Sequence, residues 1–229
     1  IHGGLRYLQR LSQMPMVFES LQERKFLLSV APDLVKPIEI LIPLLKGDFL
    51  NWIKIKAGLS LYDYLARNSL IKNHKKLKMR EVNETISLLK EQYTKNVFSY
   101  WDAQTDDQLL VRRVASSAQK LGGKFFEETE ILQLKDKKDY WSVVVSREGK
   151  QTEIKAKYVI NCLGPWTNSF FAKNKIKQTH KGINNKGTHL LVKEFGLKSG
   201  LLLTAKSDKR KFFILPWNGK TLIGTTEKE

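Results

Sequence analysis

The stretch YVINCLG at 158–164 constrains the fold of this 229-residue chain more than any other part of it. The stretch is apolar almost throughout and ends in a glycine, which is typical of a strand buried on both faces of a sheet. Such strands form the parallel sheets of α/β proteins, where ligands bind beyond the carboxyl ends of the strands. The sequence GPW at 164–166 stands at that end, and the residues after it predict a short helix over 167–172. An α/β layer with a ligand-binding edge is therefore expected here.

The spacing of apolar residues predicts the other elements. Steps of three and four residues predict helices over 17–31, over 50–66 and near 80–91, and a further helix from the cap at 105–107 to Gly122 and Gly123. Alternation predicts a strand over 37–45, where Pro43 indicates a sheet edge or a strand end, and shorter strands before 105, over 125–156 and within 186–226. The stripes expected to face the core are Leu50, Ile53, Ala57, Leu61 and Leu65 in one helix and Leu109, Leu110, Val114, Ala118 and Leu121 in another.

Two kinds of segment alternate along the chain. Residues 1–31 and 105–172 have the pattern of an α/β layer, whereas residues 32–104 and 173–229 have the pattern of an antiparallel sheet with accessory helices. Because each part interrupts the other, we expect two lobes with a ligand cleft between them. The predicted fold class is α+β or α/β, with a partial α/β layer interleaved with an antiparallel-sheet domain.

Charge and cysteine content exclude several classes of protein. Lys and Arg number 40 against 23 Asp and Glu, and the net charge of +17 suits nucleic acid, an anionic membrane surface or a phosphate ester. The densest basic stretch, 71–80, has no interleaved aromatic residues for base stacking, so no nucleic acid partner is expected. The single cysteine excludes a disulfide framework, and the four histidines do not fall at the spacings of metal ligands. No metal site is predicted.

Four stretches combine glycine with polar or cationic residues. They are HGGLRY at 2–7, NCLGPW at 161–166, KGTH at 186–189, and the pair DKR at 208–210 with GTT at 224–226. Any one of them could be an ordinary turn, but their joint presence favours a ligand site. The chain contains neither GxxxxGK[ST] nor GxGxxG, so the usual phosphate cradles of nucleotide-binding proteins are not among these stretches.

Eight motifs in register resemble the FAD-dependent glycerol-3-phosphate dehydrogenases, within the larger group of D-amino-acid and sarcosine oxidases. They are IHGGLRYL, LQER with APDL, GLSLYDYLAR, GGKFFEETEI, NCLGPW, KGTHLLV, DKRKFFILPW and IGTT. In that family a βαβ unit with a GxGxxG turn precedes the first motif, and the chain continues beyond the last. The resemblance implies an internal piece of a D-amino-acid-oxidase-like FAD-binding fold without these parts. We therefore expect the isolated chain to hold no FAD and to be inactive.

The resemblance also implies an activity. The family oxidises sn-glycerol 3-phosphate to dihydroxyacetone phosphate, moves a hydride from C2 to N5 of FAD, and passes the electrons to quinone or oxygen. A cytoplasmic location is implied, with the inner face of the cytoplasmic membrane as an anionic surface to which the protein could be peripheral. Two alternatives stay open: another FAD-dependent amine or 2-hydroxy-acid oxidase of the same superfamily, and a basic module that binds nucleic acid or anionic membranes without flavin.

Residue roles follow from the same resemblance. Residues 1–31 and 105–172 would form the partial FAD-binding domain, and the remainder would bind substrate. His189 and, after it, His2 are candidates for handling the proton, because imidazole titrates near neutral pH, and Arg6 joins them as a catalytic cation. The candidates for substrate binding are Arg6, Tyr7, Arg210 and Thr225. The candidates for FAD binding are Gly3, Gly4, Leu5, Thr129, Glu130, Ile131, Leu163, Gly164 and Trp166.

Overall fold

The computed structural model of the protein describes residues 1, 3–9, 11–45, 49–67, 70–78, 82, 93–179, 182–205 and 207–226. Its helices are α1 (Met14–Val30), α2 (Phe49–Leu65), α3 (Asp107–Lys120) and α4 (Thr167–Lys173), with 3₁₀ turns at Leu5–Gln9, Leu11–Gln13 and Gly164–Trp166. Its strands are β1 (Val35–Leu45), β2 (Lys75–Lys78), β3 (Tyr93–Thr105), β4 (Thr129–Asp136), β5 (Trp141–Arg147), β6 (Lys150–Ala156), β7 (Leu190–Lys193), β8 (Gly200–Thr204), β9 (Lys211–Trp217) and β10 (Lys220–Gly224). The helix predicted near 80–91 lies, apart from residue 82, outside the described residues.

The strands of the described chain form two sheets. One sheet has the order β2-β3-β1-β8-β9-β10-β7, and the other has the order β4-β5-β6. β1 pairs antiparallel with β3 along its length and parallel with β8, where Ile40 faces Gly200 and Leu41 faces Leu201. This one parallel pair makes the larger sheet mixed. β1 is therefore an inner strand rather than an edge, and its pairing with β8 ends before Pro43.

From position 40 to position 44, the side chains of β1 are buried on both faces of the sheet. Its alternating apolar residues, from position 38 to position 44, pack with Val17 and Leu21 of α1 and with Leu59 and Tyr62 of α2. Leu41 points the other way and packs with apolar residues of β3 and β8. The predicted alternation is confirmed, and the opposite face is apolar as well because the chain around β8 covers it.

The chain divides into two compact units. The large unit consists of Ile1–Arg112 with Gly187–Glu227 and contains the mixed sheet, whereas the small unit is Arg113–Lys186 and contains the three-stranded sheet. The predicted domains place residues 1–31 with 105–172, but α1 contributes its buried face to the core of the large unit. Which unit binds the cofactor and which binds the substrate stays a prediction.

The stretch 158–164 is not a strand in this structure. It has no regular structure as far as Leu163, and the side chains of Tyr158 and Ile160 are each 86% exposed. A strand buried on both faces needs a neighbouring strand on each side, and no described strand pairs with this stretch. The prediction of a buried parallel strand is wrong for the described chain, whereas the short helix predicted after it is confirmed as α4.

The helix predicted over 50–66 is confirmed as α2, but its buried face is not the predicted one. Leu59 and Tyr62 are each 1% exposed, whereas Leu50 and Leu61 are 71% and 37% exposed. Both faces of α2 are apolar, so periodicity alone cannot tell which one meets the sheet. The face that includes Trp52 packs there, with its indole ring 6.1 Å from the ring of Phe98 in β3.

Helix α3 has the predicted ends but only part of the predicted packing. The carboxylate of Asp106 accepts the N–H of Leu109 at 3.1 Å, as expected of a cap, and Gly122 after the last turn has φ +92°. No residue of α3 is fully buried, however, and of its apolar stripe Leu110 packs, partly buried, against the core cluster that includes Val35 and Ala103. A cap depends on neighbours in the sequence, whereas burial depends on what packs against the helix.

The two faces of α2 give a matched pair of substitutions. We expect Leu59→Ala to lower the free energy of unfolding by about 2–5 kcal/mol, because it leaves a cavity in the core. Leu61→Ala removes the same atoms from an exposed position and should change it by no more than about 0.5 kcal/mol. Urea unfolding followed by circular dichroism measures both. Equal losses for the two variants would contradict the packing of α2.

Candidate functional site

Gly3 is buried in the large unit at a place that has no room for a side chain. A Cβ at this position would overlap Oη of Tyr62 and Cδ2 of Leu21, and it would lie 2.9 Å from Nη1 of Arg24. The N–H of Gly3 is also used, since it donates to Oδ1 of Asp102 at 3.1 Å. The contacts of Gly3 thus give a local reason for glycine in the HGGLRY motif.

Gly4 needs glycine for a different reason. Its φ of +79° lies in the left-handed region, which L side chains rarely adopt. The carbonyl of Gly4 accepts the N–H of Tyr7 at 2.8 Å, and this bond begins the 3₁₀ turn Leu5–Gln9. Leu5 and Tyr7 pack partly buried against the core. The direction of the turn therefore depends on the backbone of Gly4.

A buried ion pair lies next to Gly3. Nη1 of Arg24 donates to Oδ1 of Asp102 at 2.8 Å and to the hydroxyl oxygen of Tyr62 at 2.6 Å. The same carboxylate oxygen accepts the N–H groups of Gly3 and Ala103. Arg24 belongs to α1, Tyr62 to α2 and Asp102 to β3, so one cluster connects three elements. We term Gly3, Arg24, Tyr62 and Asp102 the Arg24 cluster.

Burial shifts the ionisation of the Arg24 cluster. It raises the pKa of the Tyr62 phenol well above its usual range, and the nearby Asp102 carboxylate raises it further. Tyr100, which lies edge-on to Tyr62 with ring centroids 6.2 Å apart, has its pKa raised well above its usual value for the same reasons. Burial also raises the pKa of the Asp102 carboxyl, although Arg24 opposes the shift. Both phenols are thus neutral far above neutral pH.

The sequence prediction missed the Arg24 cluster although α1 contains a signal for it. Val17, Leu21, Arg24 and Leu28 follow one another at steps of four, three and four residues, and all four are buried. A charged residue on the core face of a helix requires a buried partner. The partner is Asp102, 78 residues further along the chain, and sequence spacing gives no indication of it.

A second group of candidate residues meets at one end of the mixed sheet. His189 stands just before β7, Arg210 just before β9, and Thr225 just after β10. Because β10 pairs antiparallel with both β7 and β9, the beginnings of those two strands lie beside the end of β10. We term His189, Arg210 and Thr225 the strand-end group. The fold brings together residues from KGTH and from the pair DKR and GTT, two of the four stretches that the sequence singled out.

The KGTH and GTT stretches bond directly to each other. The N–H of Thr188 donates to Oγ1 of Thr226 at 3.0 Å, and the N–H of Thr226 donates to the carbonyl of Thr188 at 3.0 Å. A Cβ on Gly224 would lie 2.7 Å from Cδ2 of His189, so the imidazole rests against the glycine backbone. The hydroxyl of Thr225 donates to the carbonyl of Thr226 at 2.8 Å. His189 itself is exposed.

Of the predicted cationic residues Arg210, Arg6 and His2, only Arg210 has a described side chain. The guanidinium of Arg210 is exposed and lies 3.3 Å from the carboxylate of Asp208, which also accepts the N–H of Arg210. Arg6 lies in the 3₁₀ turn after Gly4, and the described structure does not include its side chain. His2 lies outside the described residues. The substrate-binding role of Arg210 and the catalytic roles of Arg6 and His2 stay predictions.

The predicted cofactor residues at 129–131 lie on β4 in the small unit. The carboxylate of Glu130 is exposed and lies 3.3 Å from Nζ of Lys173 in α4. The side-chain oxygen of Asn174, just after α4, accepts the N–H of Leu134 at 2.9 Å. Helix α4 therefore packs beside β4, close to the predicted cofactor residues 129–131.

Three further predicted cofactor residues, Leu163, Gly164 and Trp166, lie immediately before α4, at the 3₁₀ turn Gly164–Trp166. The N–H of Leu163 donates to the side chain of Asn161 at 3.0 Å, and Gly164 has φ +52°. The N–H of Trp166 donates to the carbonyl of Leu163 at 3.1 Å, and its indole is 70% exposed. Two of the three predicted cofactor stretches are therefore in the small unit, whereas Gly3, Gly4 and Leu5 belong to the large unit.

The described residues offer two sets of functional groups. The strand-end group contains an imidazole, a hydroxyl and a guanidinium, and the small unit contains an exposed carboxylate and an exposed indole. Among the described side chains, no three His, Cys, Asp or Glu residues are grouped so that they could hold a metal ion. Within the same part of the chain, no helix has the length and apolar character needed to cross a bilayer.

A mixed sheet accompanied by a smaller antiparallel sheet is the fold of D-amino-acid-oxidase-like flavoproteins. The structure resembles the glycerol-3-phosphate dehydrogenase from Bacillus halodurans complexed with FAD, with a TM-score of 0.69 and 24% identity over 90% of this chain and 37% of that one. It also resembles L-proline dehydrogenase from P. horikoshii, with a TM-score of 0.66 and 17% identity over 92% of this chain and 55% of that one. Residues 1–229 match the FAD dependent oxidoreductase family, and the chain belongs to it.

The curated relatives of the chain include dehydrogenases named for two polyol phosphates. The chain is 32% identical to a D-erythritol 1-phosphate dehydrogenase of Brucella abortus, over 99% of this chain and 45% of the relative. It is also 32% identical to a glycerol-3-phosphate dehydrogenase of Synechocystis, over 99% of this chain and 44% of the relative. The predicted resemblance and the FAD-dependent class are confirmed. The chain spans less than half the length of these relatives.

The pKa shifts predict how stability changes at alkaline pH. Because folding raises the pKa of Tyr62, the unfolded chain loses that proton first, and the free energy of unfolding should fall above about pH 10. The expected slope is about 1.4 kcal/mol per pH unit for each such tyrosine. Tyr62→Phe should make the slope shallower by the contribution of one tyrosine, about 1.4 kcal/mol per pH unit. Tyr64→Phe, at a ring that is 63% exposed, should leave the slope unchanged. Urea unfolding from about pH 8 to about pH 11 measures the difference; equal slopes in wild type and Tyr62→Phe would contradict it.

Proposed function

We propose that this chain forms part of an FAD-dependent dehydrogenase that oxidises sn-glycerol 3-phosphate to dihydroxyacetone phosphate and passes the electrons to quinone or oxygen. The observation that carries the proposal is the meeting of His189, Arg210 and Thr225 at one end of the mixed sheet. An alcohol phosphate requires a cation for its phosphate and a group that accepts its hydroxyl proton, and these side chains include both. Relatives named as dehydrogenases of two polyol phosphates support the same class of substrate.

The residues of the small unit fit the adenosine part of FAD chemically. The exposed Glu130 carboxylate can accept hydrogen bonds from ribose hydroxyls, and the exposed Trp166 indole gives an aromatic face for a ring to pack against. Thr129 and the backbone around Gly164 would border the same part of the cofactor. When bound, FAD supplies the hydride acceptor of the reaction.

The strand-end group would then act on the substrate. Arg210 pairs with the phosphate, and Thr225 turns its hydroxyl from the Thr226 carbonyl to donate to the phosphate. His189 takes the proton of the C2 hydroxyl as the hydride leaves C2. Arg6 and Tyr7, on the turn that follows Gly4, add a second cation and a phenol for the substrate. His2 is the second candidate for the proton.

Three substrate classes can be separated in one assay of the complete gene product that carries these residues. We expect dye reduction with sn-glycerol 3-phosphate, and lower or no rates with sarcosine and 2-hydroxyglutarate, because the residues assigned to the substrate are cations for a phosphate. D-erythritol 1-phosphate is the closest competitor, since one relative is named for it. A higher kcat/KM with D-erythritol 1-phosphate than with sn-glycerol 3-phosphate would make the former the substrate. A preference for sarcosine would overturn the assignment of a phosphate substrate.

Arg210 has a matched neighbour for a direct test. A charged hydrogen bond to phosphate contributes about 1.5–3 kcal/mol, so Arg210→Gln should raise KM for glycerol 3-phosphate by about tenfold or more in the complete gene product. Lys209→Gln removes one positive charge from the same exposed turn, and we expect KM to change by less than about twofold. Steady-state kinetics gives both values. Equal effects would indicate that only the general positive field of the turn matters.

A second candidate function is binding to an anionic membrane surface, and the outer face of α2 favours it. Leu50, Ile53, Leu61 and Tyr64 are exposed on the side away from the core, and the exposed Lys54 lies among them. The acidic residue of α2, Asp63, lies 2.6 Å from Nδ1 of His74. An apolar helix face with basic residues and no exposed carboxylate suits anionic lipid headgroups.

Vesicle binding tests this second function. We expect the chain to bind phosphatidylserine vesicles at least about tenfold more tightly than phosphatidylcholine vesicles, because its net charge is strongly positive. The double variant Leu50→Glu/Leu61→Glu should lose this binding, whereas Leu109→Glu/Val111→Glu, at exposed apolar positions of α3, should keep it. Co-sedimentation measures the bound fraction. Equal loss in both variants would mean that charge alone governs binding.

A further inference from the structure

Stability alone does not account for the Arg24 cluster. Both charges lose their hydration when they are buried, and an apolar pair of similar volume often replaces a buried ion pair without loss of stability. Nη2 of Arg24 is also buried and has no hydrogen-bond partner among the described residues. A pair whose hydrogen bonds are incomplete adds little net stability. Its contribution therefore lies in the geometry that it fixes.

That geometry is the position of Gly3. Oδ1 of Asp102 accepts the N–H of Gly3 at 3.1 Å, while Tyr62, Leu21 and Arg24 close the space at its Cα. The hydrogen bond fixes the direction of the peptide plane, and the contacts leave no room for it to shift. Asp102 is in turn fixed by Arg24 at 2.8 Å. The backbone at Gly3 is thus held from both sides.

The position of Gly3 sets the direction of the turn that follows it. Gly4 reverses the backbone with φ +79°, and its carbonyl accepts the N–H of Tyr7 at 2.8 Å. Only Gly4 separates Gly3 from the 3₁₀ turn Leu5–Gln9, so a rotation at Gly3 would displace the turn and the residues on it. The turn carries Arg6, whose role as a substrate cation belongs to the proposed function.

We propose that Asp102 and Arg24 are positioning residues, which hold Gly3 and thereby direct Arg6 and Tyr7 toward the substrate phosphate. Neither residue touches the substrate in this scheme. The proposal rests on the proposed function for the target of Arg6 and Tyr7, but the fixing of Gly3 can be tested without substrate or cofactor.

The first arm of the test measures amide hydrogen exchange at Gly3 in this chain by NMR. His2–Gly3 is the one His–Gly pair in the sequence, so labelling with ¹³C′-histidine and ¹⁵N-glycine gives a single peak, that of the Gly3 amide. Ser199–Gly200 is the one Ser–Gly pair, so ¹³C′-serine with ¹⁵N-glycine gives the amide of Gly200 in β8 as a reference. In Asp102→Asn, exchange at Gly3 should become at least about tenfold faster, and exchange at Gly200 should change much less. Asp63→Asn is the matched control, because Asp63 also accepts a backbone N–H, from His74 at 2.9 Å, in the same unit. It should leave Gly3 unchanged.

A second variant guards against a simple loss of stability. Arg24→Met/Asp102→Leu replaces the ion pair with apolar side chains, which should keep the fold while removing the acceptor for Gly3. We expect stability close to that of the wild type together with fast exchange at Gly3. Slow exchange at Gly3 in this stable variant would overturn the proposal, because packing alone would then hold the glycine.

The second arm measures kinetics in the complete gene product. The double variant should raise KM for glycerol 3-phosphate by at least about tenfold and change kcat by less than about threefold, because misplaced binding groups weaken substrate binding. An unchanged KM with fast exchange at Gly3 would overturn the positioning role. If the wild-type protein does not oxidise glycerol 3-phosphate, the proposed function fails, and the exchange arm still decides whether Asp102 holds Gly3.

Discussion

The buried pair of Arg24 and Asp102 is the interaction on which the large unit depends for its internal alignment. Arg24 comes from α1 and Asp102 from β3, and through Tyr62 the pair also reaches α2. Apolar contacts between these elements tolerate small shifts, whereas a charge-assisted hydrogen bond of 2.8 Å defines both distance and direction. The apolar core supplies the stabilisation, and the ion pair selects one arrangement of the helices on the sheet.

β1 connects the elements aligned by this ion pair to the strands near the end of the described chain. Its one parallel pairing, with β8, joins residues near position 40 to residues near position 200. β9, β10 and β7 follow β8 across the sheet, so the strand-end group belongs to the same compact unit as Gly3. The strand-end group is thus carried by the same sheet whose strand β3 holds Gly3 through Asp102, because β1 has a neighbouring strand on each side.

Local features of this fold could be predicted from the sequence, and features that depend on a partner could not. The short strands over 125–156 and the cap of α3 at Asp106 follow from neighbouring residues, and both predictions are confirmed. Which face of α2 is buried, and whether residues 158–164 form a strand, depend on what packs against them. The apolar pattern shows that these residues favour burial but does not identify their partner, so Leu61 and Ile160 were assigned to a core that the described chain does not provide. The pairing of Arg24 with Asp102 was missed for the same reason.

The glycine pair of HGGLRY has a local structural role that its predicted place beside a flavin does not include. The family resemblance relates Gly3 and Gly4 to a flavin, because glycine lets backbone N–H groups come close to a ring. In the structure, the space at Gly3 is filled by Tyr62 and Leu21, and its N–H is bonded to Asp102. Gly3 therefore has no N–H left to offer a ligand, and its contribution to a flavin site would be the path of the backbone. If this segment borders FAD, the hydrogen bonds must come from groups beyond Gly3, and the buried carboxylate of Asp102 determines where those groups stand.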